Sequence, residues 1–254
     1  MKKYFNINFQ FNHQELERTI EETSREGKGY CCFVDATSLV YSFKNECFRK
    51  ILNNSLVNSC DGSYIAMLAS KIHKKQLKEY IGPDFFKKFI YKPYPQYVIG
   101  NTQEVFNKIK AKLELNGSDA SSLFFIPLPF KGVDEFDYQE IANKINQIHP
   151  RFIWVSLGAP KQEEFMEKLL PFIDKGVMIG VGAALNYFTG EVKDIPSWAR
   201  KTHSIWLYRI FTEPKKQLKR CKEIVLVLPQ VYRKENKLMK ENRGNLRIKI
   251  KPSL

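Results

Sequence analysis

Short apolar runs alternate with longer stretches whose apolar residues recur every three or four positions. The runs are residues 30–34, 55–60, 97–100, 123–128, 153–157 and 178–181, rich in Val, Ile, Phe, Tyr and Trp and closed by Gly, Asp, Ser or Pro. Runs of that length and composition predict buried strands. Helical spacing is present over residues 15–25, 39–52, 64–72, 84–89, 104–113, 138–148 and 162–173. Strands that alternate with helices in this way predict an α/β fold, a doubly wound, mostly parallel sheet covered on both faces, with right-handed crossovers. No internal repeat or low-complexity tract interrupts the alternation.

Pro196 breaks the pattern. Beyond it stand Trp198, Trp206, Tyr208 and Phe211, and Pro214 marks a helix start. Residues 215–240 mix Lys and Arg with Leu218, Cys221, Ile224, Val225 and Leu228. We therefore divide the chain into a core, residues 1–195, and a basic, aromatic helical appendage, residues 196–254.

Charge sharpens that division. The net charge is +14 over 254 residues, and the stretch from Glu191 to Leu254 alone carries a surplus of +11. A tail of this kind meets a polyanion: nucleic acid, an anionic membrane surface or a diphosphate. No apolar stretch approaches the ~20 residues of a membrane span. The first residues lack the apolar core and cleavage site of a signal peptide. Cys31, Cys32, Cys47, Cys60 and Cys221 show no metal-ligand spacing and read as thiols of a reducing, cytoplasmic compartment.

Candidate chemistry collects where strands end. In the segment from Ile153 to Glu163, an apolar run stops at Gly158, Pro160 stiffens the turn, and Gln162 and Glu163 open a helix. Ligands bind at such places in open α/β sheets. Gln offers a donor and an acceptor, and Glu offers acceptors, so the pair suits a base edge or a ribose. An ordinary helix start explains the same residues, since Glu in a first turn complements the dipole. Asp61, between a strand and Gly62, is the catalytic candidate, because a carboxylate there can take a proton from an attacking hydroxyl. A plain Asp-Gly turn is the competing explanation, and the pattern alone favours it. Asp35 and Thr37 follow the first strand, and their pattern favours a helix cap. Gly100-Asn101 and Gly182 with Asn186 close two further strands and permit close approach of a phosphate or sugar. Arg209, Lys216 and Lys219 are spaced for one helix face and could hold a diphosphate, although Pro214 intervenes. Nothing matches a P-loop, a nucleophile elbow or a dinucleotide fingerprint, and the four histidines have no ligand spacing.

Four blocks in order resemble one family, the bacterial WecG/TagA/CpsF glycosyltransferases. They are Asp35-Ala-Thr-Ser-Leu with Asp61-Gly62; Gly82-Pro-Asp84; Gly158-Ala-Pro-Lys-Gln162-Glu163-Glu-Phe; and Gly180-Val-Gly-Ala-Ala-Leu-Asn186-Tyr-Phe-Thr-Gly190, continuing through Trp198, Trp206-Leu-Tyr208-Arg209 and Glu213-Pro214. The resemblance implies a Rossmann-like, inverting, metal-independent transferase with no cofactor. Such enzymes move a sugar from a UDP-sugar to a polyprenyl-diphosphate-linked acceptor in surface polysaccharide synthesis. The sugar is of N-acetylmannosamine or glucose type. The resemblance places Asp61 as general base. Asp35, Gly100, Asn101, Gly158, Pro160, Gln162, Glu163, Gly182 and Asn186 fall around the nucleotide-sugar. Arg209, Lys216 and Lys219 fall at the diphosphate-lipid acceptor, in an appendage that docks on the inner face of the cell membrane. A homo-oligomer is compatible with all of this.

The chain departs from the family pattern at several positions. Asn186 stands where Asp is usual, Ile205 where Glu is usual, and Glu79 where Arg is frequent. Asp35 replaces a more common Asn, and Phe33 sits where Thr is frequent. Lysines replace two arginines and give up bidentate phosphate contacts. Two other readings therefore stand beside the transferase. One is a catalytically silent homologue that binds a nucleotide sugar. The other is a nucleic-acid-binding protein with a basic arm, disfavoured by the aromatic and aliphatic content of the tail.

Overall fold

The computed structural model describes residues 2–193, Pro196, Thr202 and the backbone of 214–249, the last with side chains over 221–241. The chain opens with a hairpin, β1 (Lys2–Tyr4) and β2 (Ile7–Phe9), then α1 (His13–Glu26), β3 (Lys28–Val34), α2 (Ala36–Lys44), α3 (Glu46–Asn54), β4 (Val57–Cys60), α4 (Ser63–His73) and α5 (Gly82–Phe89). It continues with β5 (Gln96–Ile99), α6 (Gln103–Leu115), β6 (Leu123–Ile126), α7 (Tyr138–Ile148), β7 (Phe152–Val155), α8 (Lys161–Leu169), β8 (Gly176–Gly180), α9 (Ala184–Thr189) and α10 (Pro214–Lys249).

Six strands form one sheet in the order β4-β3-β8-β7-β5-β6, and every pairing is parallel. These are the six apolar runs, each found within two residues of its expected limits. Successive side chains point to opposite faces of a strand. Tyr30, Cys32 and Val34 accordingly join one core layer, with α2, α3, α4, α7, α8 and the hairpin. Cys31 and Phe33 join the other, with α1, α5, α6 and α9. The adjacent thiols are thus fully buried on opposite faces, and burial raises the pKa of both.

The structure corrects two expectations. Residues 39–52 are not one helix. Asn45 is extended (φ −118°, ψ 108°), ends α2, and caps α3 by accepting from the Phe48 N–H at 3.0 Å. An Asx cap competes with helix continuation. The helix expected over 162–173 spans Lys161–Leu169. Leu170 is still helical (φ −53°, ψ −40°), but Pro171 has no N–H to continue the ladder, and the Phe172 N–H turns back to Leu169 O at 3.0 Å.

The basic appendage enters the description as α10, whose 36 residues rise about 54 Å. It does not stand apart. Val227, Leu228 and Val231 are buried in the same layer as α2 and α4, with Ile224, Tyr232 and Met239 packed alongside. That spacing is one stripe of an amphipathic helix. One turn beyond Val231 it is fastened by His73 Nε2 to Glu235 Oε1 at 2.8 Å, with both side chains buried. The ring of Tyr4 covers the imidazole at 4.5 Å. Replacing one member of such a pair by an apolar residue leaves the other buried and under-satisfied. In His73→Leu, amide exchange along residues 224–239 should accelerate roughly tenfold or more while the sheet keeps its protection. Exchange followed by mass spectrometry reads this, and an unchanged α10 would show that the pair holds nothing.

Candidate functional site

The register places the candidate residues. Val34 pairs with Cys60, Cys32 with Gly180, Gly180 with Val155, Val155 with Ile99, and Ile99 with Ile126. The carboxyl ends of the strands therefore stand at one edge. Asp35, Asp61, Gly100, Ser156 and Val181 are the first residues beyond their strands. This is the crevice in which open parallel sheets hold ligands.

Asp61 is half-buried, and its N–H donates to Val34 O at 3.0 Å, which carries the pairing of β3 and β4 one residue further. Gly82, at the start of α5, closes in on it from above the sheet. A side-chain carbon at Gly82 would lie 3.5 Å from the Phe33 ring, 3.6 Å from Val181 O and 3.8 Å from Asp61 Oδ2. The Gly82-Pro-Asp84 block thus brings a helix N-terminus to the Asp61 carboxylate, where the dipole favours negative charge. Asp35 caps α2, accepting from the Ser38 N–H at 2.8 Å, as its pattern favoured.

Gln162 and Glu163 are buried, at 4 % and 1 % exposure, and point into the protein. Gln162 Nε2 donates to Glu163 Oε1 at 2.9 Å, and Gln162 Oε1 accepts from the Gly182 N–H at 3.1 Å. From Gly182 the bonding continues across the whole edge. Ser156 Oγ donates to Gly182 O at 2.7 Å. Asn101 Nδ2 donates to Ser156 Oγ at 3.3 Å and to Asn186 Oδ1 at 2.8 Å. Asn186 Nδ2 donates to Glu191 Oε2 at 3.1 Å, and Glu191 Oε1 pairs with Lys108 at 3.0 Å. One chain of polar contacts thus joins α8, the loops after β8, β7 and β5, α9 and α6. Gly100 makes the Asn101 link possible. Its φ is +81°, and a side-chain carbon would lie 2.9 Å from Ser156 O. Gly158 is exposed at φ +75°, and the Ala159–Pro160 peptide is cis.

Burial pushes the Glu163 carboxyl up to about 8 from its ordinary 4.5, with the Asp35 charge adding to the effect. Its Oε2 has no hydrogen-bond partner. The folded protein therefore holds this proton at neutral pH, and the unfolded chain has released it. The folded state binds more protons between pH 4.5 and 8, so stability falls as pH rises through that window. Glu163→Gln keeps the acceptor for Gln162 and removes the titration. Unfolding free energies from urea denaturation at pH 5 to 8 should decline in the parent by several kcal/mol more than in the variant. Parallel declines would exclude Glu163 as the source.

Arg209 lies outside the described residues, as do Trp198, Trp206, Tyr208 and Ile205. Lys216 and Lys219 are on α10, with side chains outside the described set. Two cavities flank the edge. One, of about 310 Å³, lies between α5, α6 and α9 with Asp84, Lys87 and Lys112 on its wall. The other is a mainly apolar groove of about 590 Å³ between α2, α4 and α10. Among the described residues, no helix is long and apolar enough to cross a membrane.

A sequence model of the glycosyl transferase WecG/TagA/CpsF family matches residues 3–241. The chain belongs to this family. Two relatives carry the printed name N-acetylglucosaminyldiphosphoundecaprenol N-acetyl-beta-D-mannosaminyltransferase. One, from Bacillus spizizenii, is 37% identical over 78 residues, which is 31% of this chain and 30% of the relative. The other, from Bacillus subtilis, is 24% identical over 180 residues, which is 68% of this chain and 67% of the relative. Against the family's blocks, the structure adds three residues that sequence reasoning passed over. Ser156 precedes the Leu157-Gly158 turn and joins two loops. Glu191 follows Gly190 and takes the Asn186 amide, and Lys108 carries the matching charge from α6. Only Ser156 had a visible signal, its place at the end of a strand.

Proposed function

We propose that this family member is an inverting glycosyltransferase. It moves a sugar of N-acetylmannosamine or glucose type from a UDP-sugar to a polyprenyl-diphosphate-linked acceptor in surface polysaccharide synthesis. The observation that carries the reading is the position of Asp61. It stands at the ligand-binding edge of the sheet, under the start of α5, in a chain whose relatives are named for transfer to such an acceptor.

In this reading Asp61 takes the proton from the acceptor hydroxyl as its oxygen attacks the anomeric carbon. The attack comes from the face opposite the nucleotide, and UDP departs with the bonding pair. Gly100, Asn101, Gly158, Pro160, Gly182 and Asn186 line the donor pocket. Gln162 and Glu163 shape it from below, and Asp35 positions the first turn of α2 beside it. Charge developing on the leaving diphosphate requires cations or helix N-termini. Arg209, Lys216 and Lys219 supply the cations, to the donor or to the lipid diphosphate, without a metal. The surplus of +11 in the last 64 residues holds the protein peripherally on the inner, anionic membrane face.

A transfer assay with a panel of UDP-sugars and N-acetylglucosaminyl-diphosphopolyprenol tests the reading. The expected product carries one further sugar with inverted anomeric configuration. A silent nucleotide-sugar-binding homologue is the second reading. It is favoured by the inward commitment of Gln162 and Glu163 and by the Asn186–Glu191 contact. Saturable UDP binding with no transfer from any donor would select it.

A further inference from the structure

We infer that the groove between α2, α4 and α10 binds the isoprenoid chain of the acceptor, at the end of the chain next to the diphosphate. The inference rests on the acceptor class proposed above and adds a location for its lipid.

The groove begins at the reaction edge. Ala36 on its wall follows Asp35 directly, and Tyr64 is three residues beyond Asp61. From there it runs between Leu68 of α4 and Ile224, Leu228 and Tyr232 of α10. The α10 residues that line it extend from Cys221 to Tyr232, a rise of about 16 Å. Its volume of about 590 Å³ suits a few isoprene units.

Apolar side chains continue onto the open surface beside the lining. Among the described residues, the exposed large hydrophobic side chains include Tyr64 and Met67 on α4 and Val225 and Leu226 on α10, the last two at 70 % and 61 %. A soluble surface leaves such a cluster open when something apolar covers it. Lys71 is on the wall seven residues beyond Tyr64, a rise of about 10 Å away from the reaction edge, and does not serve the diphosphate end; there the chain carries Lys216 and Lys219 at the start of α10. An occupant that is apolar along its length and anionic at the Asp61 end fits this layout. A polyprenyl diphosphate has that form, with the diphosphate beside the basic appendage and the tail between the helices. Pro229 on the same wall has no N–H, so the carbonyl of Val225 lacks its helical donor. Gln230 Nε2 donates to the next carbonyl, Leu226 O, at 3.1 Å.

The test uses the full chain and an N-acetylglucosaminyl diphosphate bearing a photoreactive isoprenoid tail. Illumination should place adducts on peptides from residues 63–73 and 221–232, and excess polyprenyl phosphate should compete them away. Adducts confined to other peptides, or competed equally by phospholipid vesicles alone, would overturn the inference. This arm reads binding and holds even if no sugar is transferred, so it separates the groove from the reaction. The second arm is kinetic. Val225→Glu puts a charge on an exposed position of the wall without touching the core. It should raise KM for the long-chain acceptor roughly tenfold, leaving unchanged the KM for a short, water-soluble acceptor and for the donor. Leu115→Glu, at an exposed site on α6, should change none of these. Equal effects of Val225→Glu on long and short acceptors would place the chain elsewhere.

Discussion

Asp61→Asn should lower transfer by roughly 10²–10⁴-fold while UDP binding and thermal stability stay near those of the parent. The amide keeps the size of the carboxylate and removes its capacity to accept a proton. The Asp61 N–H bond to Val34 O is a backbone contact and survives the change. Loss of kcat with donor affinity retained is the signature of a group acting in the transition state. Isothermal titration with UDP and a single-turnover transfer assay separate the two quantities. Normal turnover in the variant would remove Asp61 from the mechanism. Equal loss of UDP binding would make it a donor ligand instead.

Trp154→Ala should cost about 3–5 kcal/mol of stability, the largest effect expected of a single core change here. Trp154 is fully buried on β7 between Phe86, at 4.9 Å and edge-on, and Phe152, at 5.4 Å. Its indole N–H donates to Gln96 Oε1 at 2.7 Å. The Gln96 amide in turn donates to Ile90 O and Lys92 O, at 3.1 and 3.0 Å, just beyond α5. One side chain thus ties the sheet to the helix that begins over Asp61. Trp154→Phe fills much of the space but leaves the Gln96 oxygen without its donor. It should cost about 1–3 kcal/mol. Urea denaturation of both variants gives the comparison. A Phe variant as stable as the parent would show that the hydrogen bond is dispensable.

The sheet was legible because each strand is a compact apolar run with clear punctuation, and burial on both faces demands such runs. The edge that gathers the candidate residues was legible for the same reason, since Asp35, Asp61, Gly100 and Gly182 all follow strand ends. The hairpin β1–β2 was not. Its strands have three residues each, and its turn places Phe5 and Asn6 at φ 53° and 63°. A turn of that kind signals itself by Asn or Gly, and Phe hides it. The facing of Gln162 and Glu163 was also hidden. Their place at a helix start could be read, but their inward turn depends on how α8 lies against β8 and β3. The docking of α10 has the same character. Its apolar stripe is visible in the sequence, whereas the helices it packs against, α2 and α4, lie far away along the chain.

The chain of contacts from Glu163 to Lys108 bears on the thermodynamics of ligand capture. Loops at the mouth of a sheet are ordinarily the most mobile parts of such a fold, and ordering them on binding subtracts from affinity. Here the loops after β5, β7 and β8 are laced to one another through Asn101, Ser156, Gly182 and Asn186 before any ligand arrives. Much of that ordering entropy is already spent when the chain folds. In the donor pocket proposed for this edge, selectivity would come from shape held in advance, and a ligand that had to break the lacing to enter would forfeit that advantage.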